Sequence, residues 1–181
     1  MDEERLVAVV KHYMDTCRAG DWNHALRVVE WVKRLGGGRA DLDLLIVAAY
    51  IHDIGWSGIL PEGKVALQEM LKLENEANQN TTRLVKEVLK KLEFSEEDTQ
   101  TVIRLIAAAD KHDSEQDDEA IIVDADSLSK LCVEHVQEKY RPDSYRGIIE
   151  LWEREFPNRL KTEKGKALYP ELLDKLKKQL L

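Results

Sequence analysis

Apolar residues recur at three- and four-residue spacing along almost the whole chain, the period of helices that bury one face. The first such segment runs from about Glu3 to Arg18 and is broken by Ala19-Gly20-Asp21. A second opens near Asp21, whose carboxylate suits an N-cap, and carries Leu26, Val29, Val32 and Leu35 on one face. Gly36-Gly37-Gly38 ends it. Asp41 is placed to cap a third helix, Leu42 to His52, which is apolar nearly all round from Leu44 to Ala49 and so belongs at the centre of the fold.

After Asp53-Ile54-Gly55, the stretch Trp56–Gly63 reads as a loop. Further helices are expected at about Lys64–Glu74, Thr82–Leu92, Glu96–Ala109, Ala120–Tyr140, Tyr145–Phe156 and Lys164–Leu180. Ser95-Glu96-Glu97-Asp98 has the form of a helix start. The Asn-rich stretch Asn75–Thr81 and the acidic stretch Asp113–Glu119 read as loops. No alternating strand pattern persists, so the fold class is all-α, and 181 residues suit a single domain spanning 1–181. The leucine stripe Leu168, Leu172, Leu176 and Leu180 fits packing against that domain's own core.

Composition narrows the partners. A net charge of -8 argues against a nucleic-acid backbone, which calls for a basic surface, but leaves small phosphorylated ligands open. The longest apolar stretch, Leu44 to Tyr50, is far short of a membrane span, and the acidic start Met1-Asp2-Glu3-Glu4 is no signal peptide. A soluble cytoplasmic protein is expected, with Cys17 and Cys132 as two half-buried free thiols.

The chemistry-bearing residues stand out by position. His52-Asp53 ends the most apolar helix of the chain, where an ionisable pair is costly without partners or a metal. The dipeptide alone says little, since five histidines and 15 aspartates give about 0.4 such pairs by chance, and His112-Asp113 is a second copy. His24 lies in the first turn of the second helix, where a capping histidine is the plainer reading. Asp124 and Asp126 flank a core face drawn through Ile121, Ala125, Leu128 and Cys132, and periodicity does not choose between them. Two histidines with Asp53 and one of these aspartates form an N/O donor set suited to Mn, Fe, Co, Ni, Mg or Zn. Four protein ligands leave positions open on a six-coordinate ion, as catalysis requires.

In this order, His24, then His52-Asp53 after 28 residues, then Asp126 after a further 73 from Asp53, the residues resemble the HD-domain superfamily of metal-dependent phosphohydrolases. His24-Ala25-Leu26-Arg27-Val28 is similar to its first motif and Ala48 to Gly55 to its second. Val123-Asp124-Ala125-Asp126-Ser127-Leu128 is similar to the last, and there the resemblance points to Asp126 rather than Asp124 as ligand. Leu160 to Leu168 also resembles a C-terminal segment of small bacterial and archaeal members. The resemblance implies an HD-type helical bundle with His24, His52, Asp53 and Asp126 around one divalent ion per chain. Two-metal members carry a further histidine where Glu74-Asn75-Glu76-Ala77-Asn78 has none.

The implied activity is hydrolysis of a small phosphate ester, nucleotides among the candidates, by metal-activated water. Asp53 is expected to orient that water, His112 to reach the phosphate or the water, and Arg27 and Lys111 to contact the phosphate. Trp56, beside the His-Asp pair, is placed to stack on a base or to cap the core. A non-catalytic metal- or nucleotide-binding module is the alternative.

Overall fold

The structure, a computed structural model, describes residues 1–59 and 67–181. Nine α-helices are described: α1 (Glu3–Met14), α2 (Asp21–Gly36), α3 (Leu42–Ile51), α4 (Leu67–Lys91), α5 (Glu96–Lys111), α6 (Asp117–Ser129), α7 (Val133–Lys139), α8 (Tyr145–Arg159) and α9 (Glu163–Leu180). Short 3₁₀ turns follow α3 (Ile54–Trp56) and α7 (Pro142–Ser144). There is no strand among the described residues, and the protein is all-α.

Two helices organise the rest because they are buried all round. In α3 every residue from Leu45 to Ile51 is buried, and in α6 every residue from Asp118 to Ser129. Helix α3 is apolar nearly all round and has no polar face to turn outward, whereas α6 buries Asp118, Glu119, Asp124, Asp126, Ser127 and Ser129, whose partners must come from within the fold. Helix α2 packs on both, α5 closes against both, and α6 also meets α8 and α9. A larger core gathers the apolar faces of α1–α6 around Val28, Leu45, Ile51, Val85, Leu105 and Ile122. A second gathers α6–α9 around Leu128, Val136, Ile149, Trp152, Phe156 and Leu176. Leu172 and Leu180 of the C-terminal stripe pack against this second core.

The expected boundaries hold for the strongly periodic helices and shift elsewhere. The first helix stops at Met14, four residues before Arg18. Asp21 does not cap α2. Gly20, in the left-handed conformation at φ 77°, precedes the helix, and the buried Asp21 carboxylate instead accepts from Arg18 N at 3.0 Å. Asp41 precedes α3 but gives its carboxylate to Arg39 (2.7 Å), while Ser95 does cap α5 by accepting from Asp98 N at 3.0 Å. The Asn-rich stretch 75–81 is not a loop but the middle of α4, held helical by the contact its Ala77 and Thr81 make with Gly55. The acidic stretch 113–119 is half helix: Asp118 and Glu119 lie buried in the first turn of α6, both paired with Arg104 (2.5 and 2.8 Å). The segment 120–140 is two helices, interrupted at Lys130–Cys132. The expected helix start at Lys64 and the loop from residue 60 to Gly63 lie outside the described residues.

Candidate metal centre

Three helices bring the polar atoms together. His24 comes from the first turn of α2, His52 from the C-terminal end of α3, and Asp126 from the middle of α6, and all three are buried. One ligand atom from each lies within 4.8 Å of the others. His24 Nε2 stands 3.2 Å from His52 Nε2 and 3.1 Å from Asp126 Oδ1, and His52 Nε2 is 3.6 Å from the same oxygen. Asp53 Oδ2 joins them at 3.8 Å from His24 Nε2 and 3.6 Å from His52 Nε2.

The backbone near Asp53 explains the glycine that follows. A Cβ on Gly55 would lie 2.3 Å from the Ala77 carbonyl oxygen and 2.2 Å from Thr81 Oγ1, so only glycine lets α4 approach this turn. Asn80 Nδ2 then donates to the Gly55 carbonyl at 3.0 Å, fixing the turn to α4.

Hydrogen bonds on the far side of each ring decide which nitrogen carries the proton. His52 Nδ1 lies 2.9 Å from the Ala49 carbonyl, which can only accept, so the proton is on Nδ1. His24 Nδ1 lies 3.2 Å from Ser129 Oγ, whose own hydroxyl is donated to the Asp126 carbonyl at 2.8 Å. Ser129 therefore accepts from His24, and that proton too is on Nδ1. Both Nε2 atoms consequently present lone pairs to each other and to the carboxylate oxygens. Four electron-rich atoms facing one another without a hydrogen between them repel, and a cation among them turns the repulsion into attraction. The donor set, two neutral imidazoles and two carboxylates, fits a divalent first-row ion, and the Ser129 and Ala49 bonds are the outer support such ligands need.

The charges around the four are arranged to keep His24 neutral and the carboxylates ionised. Burial first, and then Lys139 and His52, push the His24 pKa well below its ordinary value against the opposing pull of the nearby Asp126 carboxylate. Burial alone would raise Asp53 and Asp126. Arg18 and Lys139 outweigh it at Asp53, Lys130 first and then the nearby His24 do so at Asp126, and both carboxyls end well below the usual range. Arg18 Nη2 is 2.6 Å and Lys139 Nζ 3.3 Å from Asp53 Oδ2, and both cations also pair with the buried Asp21. The Arg18 guanidinium lies over the Trp56 ring at 4.1 Å, so that face of Trp56 is covered by Arg18.

Beside the centre opens a cavity of about 300 Å³. His52, Asp53 and Asp126 line it, together with Arg18, Lys130, Lys139, Arg159, His112 and His135. Its apolar wall includes Trp56, Tyr140, Ile148, Leu151 and Trp152. His112 is the left-handed C-cap of α5 at φ 55°, with a buried Nδ1 that has no partner, and burial takes its pKa down to about 4. At neutral pH it offers a hydrogen bond and no charge. Asp110, two residues earlier, also lines the cavity, and burial with the nearby Asp53, Asp126 and Glu74 pushes its carboxyl up to about 7.

A model of one family, the HD domain, matches residues 21–131 of this 181-residue chain. The chain belongs to the HD-domain family. That places it in a superfamily of metal-dependent hydrolases whose members bind divalent metals, and its His24, His52 and Asp126 form a site that could hold one. No curated protein and no solved structure matches the chain. No helix of the described residues is long and apolar enough to cross a membrane.

Two residues expected at this HD-domain site lie elsewhere. Arg27 pairs with Glu138 at 2.9 Å and does not line the cavity, because its place one turn after His24 turns it toward α7. Lys111 is exposed and lines a separate groove between α4 and α5. Sequence reasoning missed His135, which is buried in α7 with neither ring nitrogen partnered and its ring edge-on to His24 at 4.7 Å. A lone histidine on an apolar helix face reads as core, and only its place beside His24 marks it. Asp124 is separated from Asp126 by its partners: it accepts from Lys161 N, Thr162 N and Thr162 Oγ1 at 2.8, 2.9 and 2.6 Å. The two cysteines are free and half-buried.

Proposed function

We propose that this protein hydrolyses a small phosphate monoester, with His24, His52, Asp53 and Asp126 as the ligands of one divalent ion. The observation that carries the reading is the pair of imidazole lone pairs aimed at two ionised carboxylates on the floor of a cavity rich in cations. A divalent ion in such a site supplies Lewis-acid polarisation of a phosphoryl oxygen and activation of water at neutral pH.

The chain's own residues do the rest. Arg18 and Lys139 clamp Asp53, so its carboxylate stays ionised and fixed beside the reacting group, where it orients the attacking water. Asp110 holds a proton near neutrality and faces the same cavity, which suits it to protonate the departing oxygen. His112, neutral, gives or accepts a hydrogen bond at its unpartnered Nδ1. The burial of Trp56, Tyr140 and Trp152 in the opposite wall limits water to what the substrate leaves room for. The substrate is correspondingly small, nucleoside monophosphates included, since about 300 Å³ is the low end for ligand pockets.

The test is phosphate release from a panel of monoesters by protein loaded with Mn²⁺, Co²⁺, Ni²⁺ or Mg²⁺, with metal content measured on the same sample. Turnover with one ion per chain is expected. One ion per chain and no release from any ester would replace the hydrolase reading with a non-catalytic binding module.

A further inference from the structure

The four cations that line the cavity are not equivalent. Arg18 and Lys139 are each shared between Asp21 and Asp53, and Lys130 donates to Asp126 at 2.6 Å. Arg159, the last residue of α8, has no carboxylate oxygen within 4.0 Å among the described residues. The acids nearest in sequence are engaged elsewhere, Glu155 with Arg154, Glu163 with Lys166 and Glu153 with Lys177. Its guanidinium lies over the Phe156 ring, the carbon 5.5 Å from the ring centroid, and the side chain is half-buried.

A half-buried cation without a counter-ion is costly, and burial lowers the Arg159 pKa even though Asp126, Glu155 and Glu74 act on it from a distance. Asp126, the strongest of these, lines the same cavity as Arg159. Lys130, Arg159 and His112 line the same cavity. What such a group lacks is an anion of its own.

We propose that Arg159 binds the phosphoryl oxygens of the substrate, making the C-terminal end of α8 the anion-recognition point of the cavity. The inference rests on the phosphate-ester reading above and deepens it. It assigns the role to a residue beyond the segment 21–131 that matches the family. A planar guanidinium presents two parallel N–H donors to two oxygens of one phosphate, a geometry lysine lacks.

The experiment is calorimetric titration of the Mn²⁺-loaded protein with inorganic phosphate, alongside p-nitrophenyl phosphate kinetics. Wild type is expected to bind phosphate, and Arg159→Gln to bind it about tenfold or more weakly, the scale of one charge-assisted contact. Arg159→Lys should fall between them, and Lys111→Gln should match wild type. Circular dichroism checks the fold of each variant, and Arg159→Lys carries the test if Arg159→Gln does not fold. Phosphate affinity unchanged in these Arg159 variants, or no phosphate binding by wild type at millimolar concentration, overturns the assignment. Turnover with an unchanged KM in Arg159→Gln would sink this site and leave the hydrolase reading standing. Phosphate binding that depends on Arg159 without turnover of any ester would do the reverse.

Discussion

Asp124 and Asp126 sit two residues apart on one helix, both buried, and the two sides of α6 they occupy are chemically opposite. On one side Asp124 receives three hydrogen bonds from the segment that starts α9. Gly165 follows so closely that a Cβ there would lie 2.3 Å from Asp124 Oδ2. On the other side Asp126 faces two imidazole lone pairs and is steadied by Lys130 alone among the cations. Burial of a carboxylate therefore does not mark a site. The kind of partner does: donors that complete it make it structural, and other acceptors facing it leave it waiting for a cation.

The sharpest way to break the comparison is to neutralise each carboxylate in turn. Asp126→Asn should abolish bound metal and lower turnover by more than about 100-fold, since even outer supports of metal ligands cost 10- to 100-fold. It should shift the melting midpoint of the metal-free protein by no more than roughly 4 °C, about 1 kcal/mol. Asp124→Ala should do the opposite. Stripping an acceptor from two backbone N–H groups and a hydroxyl is expected to cost roughly 3 kcal/mol, a fall of about 6–12 °C, with metal still bound one per chain. Metal content by elemental analysis and melting curves on the same samples decide it. Equal metal loss in both variants would dissolve the distinction.

How much of this was legible in the sequence follows the same line. The long amphipathic helices were, because their burial is one-sided and leaves a 3.6-residue period. So was His52-Asp53, because an ionisable pair ending an apolar helix is conspicuous in a string. The helical state of Asn75–Thr81 was not, since its weak propensity is overridden by packing of Ala77 and Thr81 on Gly55, a contact between segments far apart in sequence. Periodicity could not separate Asp124 from Asp126 because α6 is buried all round, and resemblance to a family motif was needed to point to the second. Arg27 and Lys111 drew attention by standing near motifs, whereas His135 and Arg159 reach the cavity only through the placement of α7 and α8.

A milder change tests whether Asp126 works within a preset frame. Ser129→Ala removes the acceptor that holds the His24 proton on Nδ1, and frees the ring to carry it on Nε2. Metal affinity should drop by about 10- to 100-fold, with little change in the stability of the metal-free protein. Competition with a chelator of known affinity measures it, and wild-type affinity in Ser129→Ala would show that the tautomer is set elsewhere.

The smallest effect expected is on the pH dependence of stability, and its sign separates the histidines from the acid beside them. Burial holds His24, His112 and His135 below the ordinary imidazole value of about 6.5, so they stay neutral in the folded protein while the unfolded chain takes up protons. Their contribution is present above pH 6.5 and is lost as the pH falls below it. Asp110 works the other way. Raised to about 7, it keeps its proton in the folded protein, and stability falls as pH rises from about 4 toward 7. Three imidazoles against two raised carboxyls, Asp110 and Asp124, leave the metal-free protein more stable at pH 6.5 than at pH 5. Urea unfolding in the presence of a chelator should show a slope in His135→Phe that is smaller by up to about 1.4 kcal/mol per pH unit, one proton's worth. Asp110→Asn should be steeper than wild type by a similar amount. A His135→Phe profile parallel to wild type would mean that His135 takes up its proton in the folded protein as readily as in the unfolded chain.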